Sequence, residues 1–295
     1  MVVLHVISAL CHNLYLHRMP QTGDHGTDAS MKSMKLYDRV DRIHNELALI
    51  AIDDSPLTVA QLTPFDNYHY FGTKAVDEAI TALGLQPGMR VLDIGSGIGG
   101  PARYLASTSG AHVTALELQP DLDAVAADLT RRCGLTALIE HRCGDILDGI
   151  GETYDAVVSF LCFLHIADRQ RLLAACRSVL AAGGGMYIED YAKRREPTAE
   201  EAALLGVKVQ CPSLPWSLEY DAQLRAAGFD DVHIDDVTPQ WTAFTASRLA
   251  EFRTARVRNV GVHGLEIVEG LDDFYATVAG LFDTGVIAGL KILAR

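Results

Sequence analysis

"VLDIGSGIGG", residues 91–100, decides the fold. An apolar strand end runs into a turn in which Gly95, Gly97 and Gly100 satisfy the pattern GxGxxG, and a helix opens behind it. Glycines at these places let the backbone turn tightly and approach a ligand at a helix N-terminus. Outward from this loop the chain alternates. Short apolar strands are expected at 90–94, 112–116, 137–142, 154–160 and 185–190, with helical patterns between them. In "DLDAVAADLTRRCGL", Leu122, Val125, Leu129 and Cys133 share one face and Gly134 ends the helix; Leu172, Leu173, Cys176, Val179 and Leu180 repeat the pattern. Near-continuous apolar strands separated by helices mean a parallel sheet covered on both faces.

The flanks break that rhythm. Residues 37–52 and 77–85 read as helices, the second broken by Pro87 and Gly88. After Asp190 come a capping-box start at "TAEE" (198–201), a helix at 219–229 closed by Gly228, and a strand at 231–235. Helices follow around 242–256 and 264–282, and "GLKILAR" is a last strand. The expected organisation is a flexible extension over 1–33, a helical cap over 34–88, and one α/β domain over 89–295 with helical lid insertions around 192–218 and 241–282. Translation could begin at Met31 or Met34. The apolar N-terminus lacks a basic leader, and two histidines interrupt it, so it reads neither as a signal peptide nor as a membrane span.

A net charge of −13 argues against nucleic acid and anionic membranes as partners. The six cysteines show no CxxC pair and no metal-ligand spacing, so no metal is expected and a reducing, cytoplasmic compartment is.

The glycine loop alone fits either a nicotinamide dinucleotide or S-adenosylmethionine (SAM). Glu117 closes the second strand 22 residues after Gly95, where a carboxylate can grip two ribose hydroxyls in either case. Three details favour SAM. Asp93 precedes the loop by two residues, close to where a cationic methionyl amine would lie. Asp145 follows the third strand, where it can take the adenine amino group. "LAAGGGMYI" is a glycine turn into a fifth strand. Across 89–190 these residues resemble the class I SAM-dependent methyltransferases. The resemblance implies a three-layer, Rossmann-like, seven-stranded, mostly parallel sheet with the last strand antiparallel. It implies a cofactor site at Asp93, Gly95, Ser96, Gly97, Gly99, Glu117, Leu118, Asp145, Ile146 and Phe160, with S-adenosylhomocysteine (SAH) as product.

More loosely, the layout is similar to the small-amine N-methyltransferases of the phosphoethanolamine and sarcosine/dimethylglycine types. The resemblance rests on Leu164-His165 after the fourth strand, on "IEDYA" with Asp190 and Tyr191, and on the helix from Tyr220 to Phe229. It implies that His165 is the catalytic histidine, paired with Tyr68 or Tyr70 from "FDNYHYFGT"; the sequence does not choose between them. Leu161, Tyr191, Trp216 and Tyr220 are the candidate substrate contacts. Two departures argue against a phosphobase. Leu161 stands where the phosphoethanolamine type has an acid, and "VQCPS" (209–213) replaces its phosphate-holding groups. The expected partner is a small-molecule methyl acceptor, most simply an amine nitrogen, with a hydroxyl or carbon acceptor and a non-catalytic SAM-binding protein as alternatives. The chain is expected to be a monomer or homodimer.

Overall fold

A computed structural model describes residues 40–50 and 54–295. The expected extension at 1–33 and the first residues of the expected cap lie outside the described residues. Seven strands form one sheet: β1 (Arg90–Ile94), β2 (His112–Glu117), β3 (Ile139–Cys143), β4 (Tyr154–Phe160), β5 (Leu180–Lys193), β6 (Val232–Asp236) and β7 (Ile287–Ala294). Their order is β3-β2-β1-β4-β5-β7-β6. Strands β1 to β5 pair in parallel, and β7 runs antiparallel between β5 and β6. The seven-stranded, mostly parallel sheet with an antiparallel last strand is therefore present.

Before the sheet come α1 (Asp41–Leu49), α2 (Val59–Leu62) and α3 (Thr73–Leu83). The crossovers are α4 (Gly100–Ser109), α5 (Pro120–Arg132) and α6 (Arg169–Val179). α7 (Ala199–Val207) and α8 (Ser217–Ala226) lie between β5 and β6; α9 (Thr238–Thr254), α10 (Arg256–His263) and α11 (Leu265–Asp283) lie between β6 and β7. Among the described residues no helix is long and apolar enough to cross a membrane.

Each face of the sheet is sealed by apolar side chains from the helices that periodicity marks out. On one face Leu172, Leu173 and Cys176 of α6 meet Tyr220, Leu224 and the inward residues of β4 and β5. On the other, Ala75, Val76 and Ala79 of α3 and Ala102 and Leu105 of α4 cover Val91, Val113 and Val158. Each such burial of a Leu, Ile or Val stabilises the fold by roughly 1.5–3 kcal/mol. A third core joins the last helices to β5 and β7. Trp241 of α9 lies flat on Gly289 of β7, where any β-carbon would come within 2.3 Å of the indole.

Three local readings change. The glycine turn before the fifth strand belongs to the strand itself: Tyr154 pairs with Leu180 and Ala156 with Gly185, so the extra residues form an irregular bulge. β3 begins two residues later than expected, because Leu138 still pairs back to Leu135. The two helical stretches near the C-terminus are three helices. The chain bends at Ala255 (φ −84°, ψ 9°) and again at Gly264 (φ +85°), leaving α10 as a separate segment. The capping box at Thr198 is present, with Thr198 Oγ1 accepting from Glu201 N and Glu201 accepting from Thr198 N.

Candidate functional site

A cavity of about 260 Å³ opens at the C-terminal ends of β1, β2 and β4, where open parallel sheets take ligands. Its floor is the glycine loop. Gly95 (φ +74°) and Gly97 (φ +55°) adopt the left-handed conformation that side chains disfavour. Gly95 also has no room for one, since a β-carbon there would lie 2.3 Å from Cys162 Sγ. The amides of Gly95 and Ser96 both donate to Leu116 O, at 2.9 and 3.0 Å, and so hold the loop against β2.

Carboxylates ring this floor. Glu117 at the end of β2 accepts from the amides of Gly97 (2.8 Å) and Gln119 (2.9 Å), which fixes its position without exhausting its lone pairs. Asp145 Oδ1 accepts from Leu147 N at 2.8 Å and so caps the short turn that carries Ile146. Asp93, only 1% exposed, has an oxygen with no hydrogen-bond partner among the described residues; so do the buried Ser96 Oγ and Gln119 Oε1. Burial, reinforced by the neighbouring charge of Glu117, pushes Asp93 up to about 7. Orphaned buried polar atoms of this kind call for a ligand that satisfies them. A cationic amine against Asp93 and hydroxyls against Glu117 would do so, and the residues present therefore fit a SAM-like molecule.

The rest of the lining comes from the segment before α3 and from the turn after β4. Asp66 lines the cavity while ion-pairing with Arg103 of α4 at 3.0 Å, both side chains fully buried. The third glycine of the motif, Gly100, touches this segment: a β-carbon there would meet Asp66 O at 2.2 Å. Tyr68 and His69 also line the cavity. His69 Nε2 donates to Gly72 O at 3.0 Å, its ring lies 4.8 Å from that of Phe160, and burial lowers its pKa to about 4. From the other side come Phe160, Leu161 and Cys162, then His165 in the short helix Phe163–His165. His165 Nδ1 donates to Gln210 O at 3.0 Å, and burial holds its pKa below the usual histidine value.

The geometry thus gathers Asp93, Gly95, Ser96, Gly97, Glu117, Leu118, Asp145, Ile146, Phe160, Leu161, Tyr68 and His165 around one cavity. Five sequence candidates lie elsewhere. Gly99 (φ +76°) caps α4 and faces Arg103, Ala126 and His141, so it shapes the helix start from behind the cavity. Tyr70 is fully buried with its hydroxyl against that of Tyr191, and both pack with Trp241 in the aromatic core. Tyr220 donates to Asp190 at 2.9 Å beneath the Arg169 guanidinium, 4.3 Å above its ring. Trp216 lies under Lys193 Nζ, 4.6 Å from the ring centre, beside β5. The four aromatic side chains are engaged by these contacts instead of lining the cavity. Sequence reasoning passed over His69 and Gln119, while Cys162, expected from the sequence in an apolar pocket with Leu161, does line the cavity. His69 was visible within the quoted tyrosine segment, and Gln119 two residues past Glu117.

The family model described as a methyltransferase domain matches residues 92–188. Phosphoethanolamine N-methyltransferase 1 of Zea mays is 31% identical over 186 residues, covering 61% of this chain and 36% of that protein. The chain thus spans about a third of the length of this curated relative. Among solved structures, phosphoethanolamine N-methyltransferase 2 of Haemonchus contortus, in complex with phosphomonomethylethanolamine and SAH, superposes with a TM-score of 0.70 at 20% identity. That match covers 75% of this chain and 52% of that one. The cyclopropane synthase MmaA2 of Mycobacterium tuberculosis gives 0.71 at 18% identity, covering 90% of this chain and 98% of the other. The chain is loosely related to the class I methyltransferases and shares their Rossmann-like fold.

Proposed function

We propose that this chain transfers the methyl group of SAM to a nucleophilic atom of a small molecule, an amine nitrogen being the favoured acceptor. The observation that carries this reading is the unpartnered, buried oxygen of Asp93 between the glycine loop and Glu117. Asp93 would hold the cofactor's ammonium, Glu117 its ribose hydroxyls and Asp145 its adenine amine. Ser96, Gly97, Leu118, Ile146 and Phe160 would enclose it. When bound, SAM supplies an electrophilic methyl group on a sulfonium.

The protein's own part is alignment and proton transfer. Alignment of two reactants can contribute roughly 7–11 kcal/mol in favourable cases. Because Gln210 O can only accept, the bond between them places a hydrogen on His165 Nδ1. His165 would accept the proton that an ammonium or hydroxyl sheds as it becomes a nucleophile. Tyr68, rather than the buried Tyr70, is then the tyrosine in a position to assist it.

The charge of the cavity as a whole supports an uncharged or cationic substrate over an anionic one. Asp66, Asp93, Glu117, Asp145 and Asp168 line the cavity, and among the described residues no Lys or Arg does. The apolar wall of Leu161, Ile166 and Ala167 favours a second reading, a hydroxyl or carbon acceptor on a larger apolar molecule. The segment before α3 and the helices α7 to α11 would serve as cap and lid. The free thiols of Cys133, Cys143, Cys162, Cys176 and Cys211 support a cytoplasmic location. Calorimetry with SAM and SAH, followed by transfer of labelled methyl to a panel of amines and phenols, tests the proposal. Failure to bind either cofactor form refutes it, and binding without turnover points to a non-catalytic SAM-binding protein.

A further inference from the structure

Behind the part of the cavity wall that carries His165 lies a buried pair of opposite charges that the proposed chemistry does not use. Arg169, the first residue of α6, and Asp190, near the end of β5, are 6% and 0% exposed, and neither lines the cavity. Arg169 Nη2 donates to Asp190 Oδ2 at 3.5 Å, and Tyr220 Oη donates to the same oxygen at 2.9 Å. For stability alone such a pair is a poor choice. Desolvation cancels much of the attraction, and apolar side chains of similar volume often fill the space with no loss. What charges add is direction, because each demands hydrogen-bond partners at fixed geometry.

Those partners lie on the turn that bears His165. Arg169 Nη1 donates to Phe163 O at 3.2 Å, and the backbone amide of Leu164 stabilises the charge of the Asp190 carboxylate. The start of the turn is tied to the same stretch of β5, since Leu161 N donates to Glu189 O at 2.8 Å with Leu161 held at a φ of +56°. On the other side Gln210 O is bonded to His165 Nδ1 at 3.0 Å, and Cys211 beside it lies close enough to Arg169 and Asp190 to feel both charges. The turn's own bonds are His165 N to Cys162 O and Ile166 N to Phe163 O, both at 3.0 Å. A single 3₁₀ turn of this kind holds itself weakly. We propose that Arg169 and Asp190 are positioning residues for His165: through Phe163 and Leu164 they fix the backbone that carries its imidazole on the cavity wall, and Tyr220 holds the carboxylate in place. This rests on His165 acting in the proposed methyl transfer and adds the residues that hold it there.

Replacing the pair by apolar residues and following His165 itself tests this. In Arg169→Met/Asp190→Leu the net charge is unchanged and the volume is refilled, so urea unfolding should stay close to that of wild type. The ring resonances of His165, assigned through His165→Gln, are titrated by NMR in cofactor-free protein. In wild type burial outweighs the Gln210 carbonyl, and His165 is expected to titrate below 6.5. In the double variant the released turn opens the ring to water, and the midpoint should rise toward 6.5. Tyr220→Phe, which removes one donor to Asp190, should give a smaller shift in the same direction. Arg169→Lys, which keeps the charge without the guanidinium fork, should fall between wild type and the double variant. SAH affinity measured by calorimetry should stay within about twofold throughout, both residues being outside the cavity. A folded double variant in which His165 titrates as in wild type overturns the proposal. If the double variant does not fold, an unshifted titration in both Arg169→Lys and Tyr220→Phe overturns it. Failure of wild-type protein to bind SAH would instead overturn the methyltransferase reading, and the cofactor-free titration would still decide the role of the pair.

Discussion

Replacing Asp93 by asparagine separates stability from ligand binding at the centre of the site. Asp93 is 1% exposed, and burial together with Glu117 raises its pKa from an ordinary 3.8 to about 7. Between those values the folded protein holds a proton that the unfolded chain has released. Stability therefore falls as pH rises from about 4 to about 7, by about 1.4 kcal/mol per pH unit, and levels off above 7. Asparagine is nearly isosteric with the protonated acid and does not titrate. The stabilisation of Asp93→Asn over wild type should grow by about 3 kcal/mol between pH 5 and pH 8. For a chain of this size that corresponds to roughly 6–12 °C in Tm. Differential scanning calorimetry at half-unit pH steps measures it. The same variant should bind SAM at least a hundredfold more weakly at pH 8, because the amide cannot neutralise an ammonium. Adding SAM should raise the Tm of wild type and leave that of the variant in place. An Asp93→Asn protein whose advantage over wild type is no larger at pH 8 than at pH 5 would refute the electrostatic reasoning. Undiminished SAM affinity would refute the assignment of Asp93 to the cofactor's ammonium.

The other predictions concern neighbouring residues. Gly95→Ala combines a positive φ with a β-carbon 2.3 Å from Cys162 Sγ, so SAM affinity measured by calorimetry should fall at least tenfold. Asp66→Ala leaves Arg103 buried without its partner, and urea denaturation should show a loss of about 3–5 kcal/mol. His165→Ala should leave SAM affinity within a few-fold of wild type and reduce turnover about 10²- to 10⁴-fold. Burial lowers the pKa of His165, so the acid limb of kcat for the wild-type protein at saturating cofactor should lie below pH 6.5. His69 has a folded pKa of about 4 against an ordinary 6.5, so the unfolded chain binds more protons between them and stability is lost as pH falls through that window. His69→Phe should remove that share of the acid destabilisation in a pH series of denaturation curves.

The sheet and its ligand edge were legible because their signals are local. A strand needs a short apolar run, a crossover helix needs one apolar face, and Gly95 and Gly97 are required by their own φ angles. Asp93, Glu117 and Asp145 were legible too, since each follows or ends a parallel strand and parallel strands deliver their C-termini to one edge. Helix α10 was not, because it falls between the stretches expected at 242–256 and 264–282, set off by the bends at Ala255 and Gly264.

The acceptor end depended on contacts between distant segments. Tyr68, His69 and Tyr70 are consecutive, and nothing within the tripeptide says which faces a ligand. Packing decides it. Tyr70 is drawn into the aromatic core by Tyr191 and Trp241, 121 and 171 positions away, while Tyr68 and His69 remain on the cavity. The tautomer of His165 is likewise set by the carbonyl of Gln210, 45 residues on. The sequence by itself determined the sheet, the glycine loop and the acids at the strand ends, whose geometry follows from backbone torsions and strand direction. Only the tertiary structure decided which side chains of the segment before α3 reach the cavity, because that is settled by competition between burial in the aromatic core and exposure to the site.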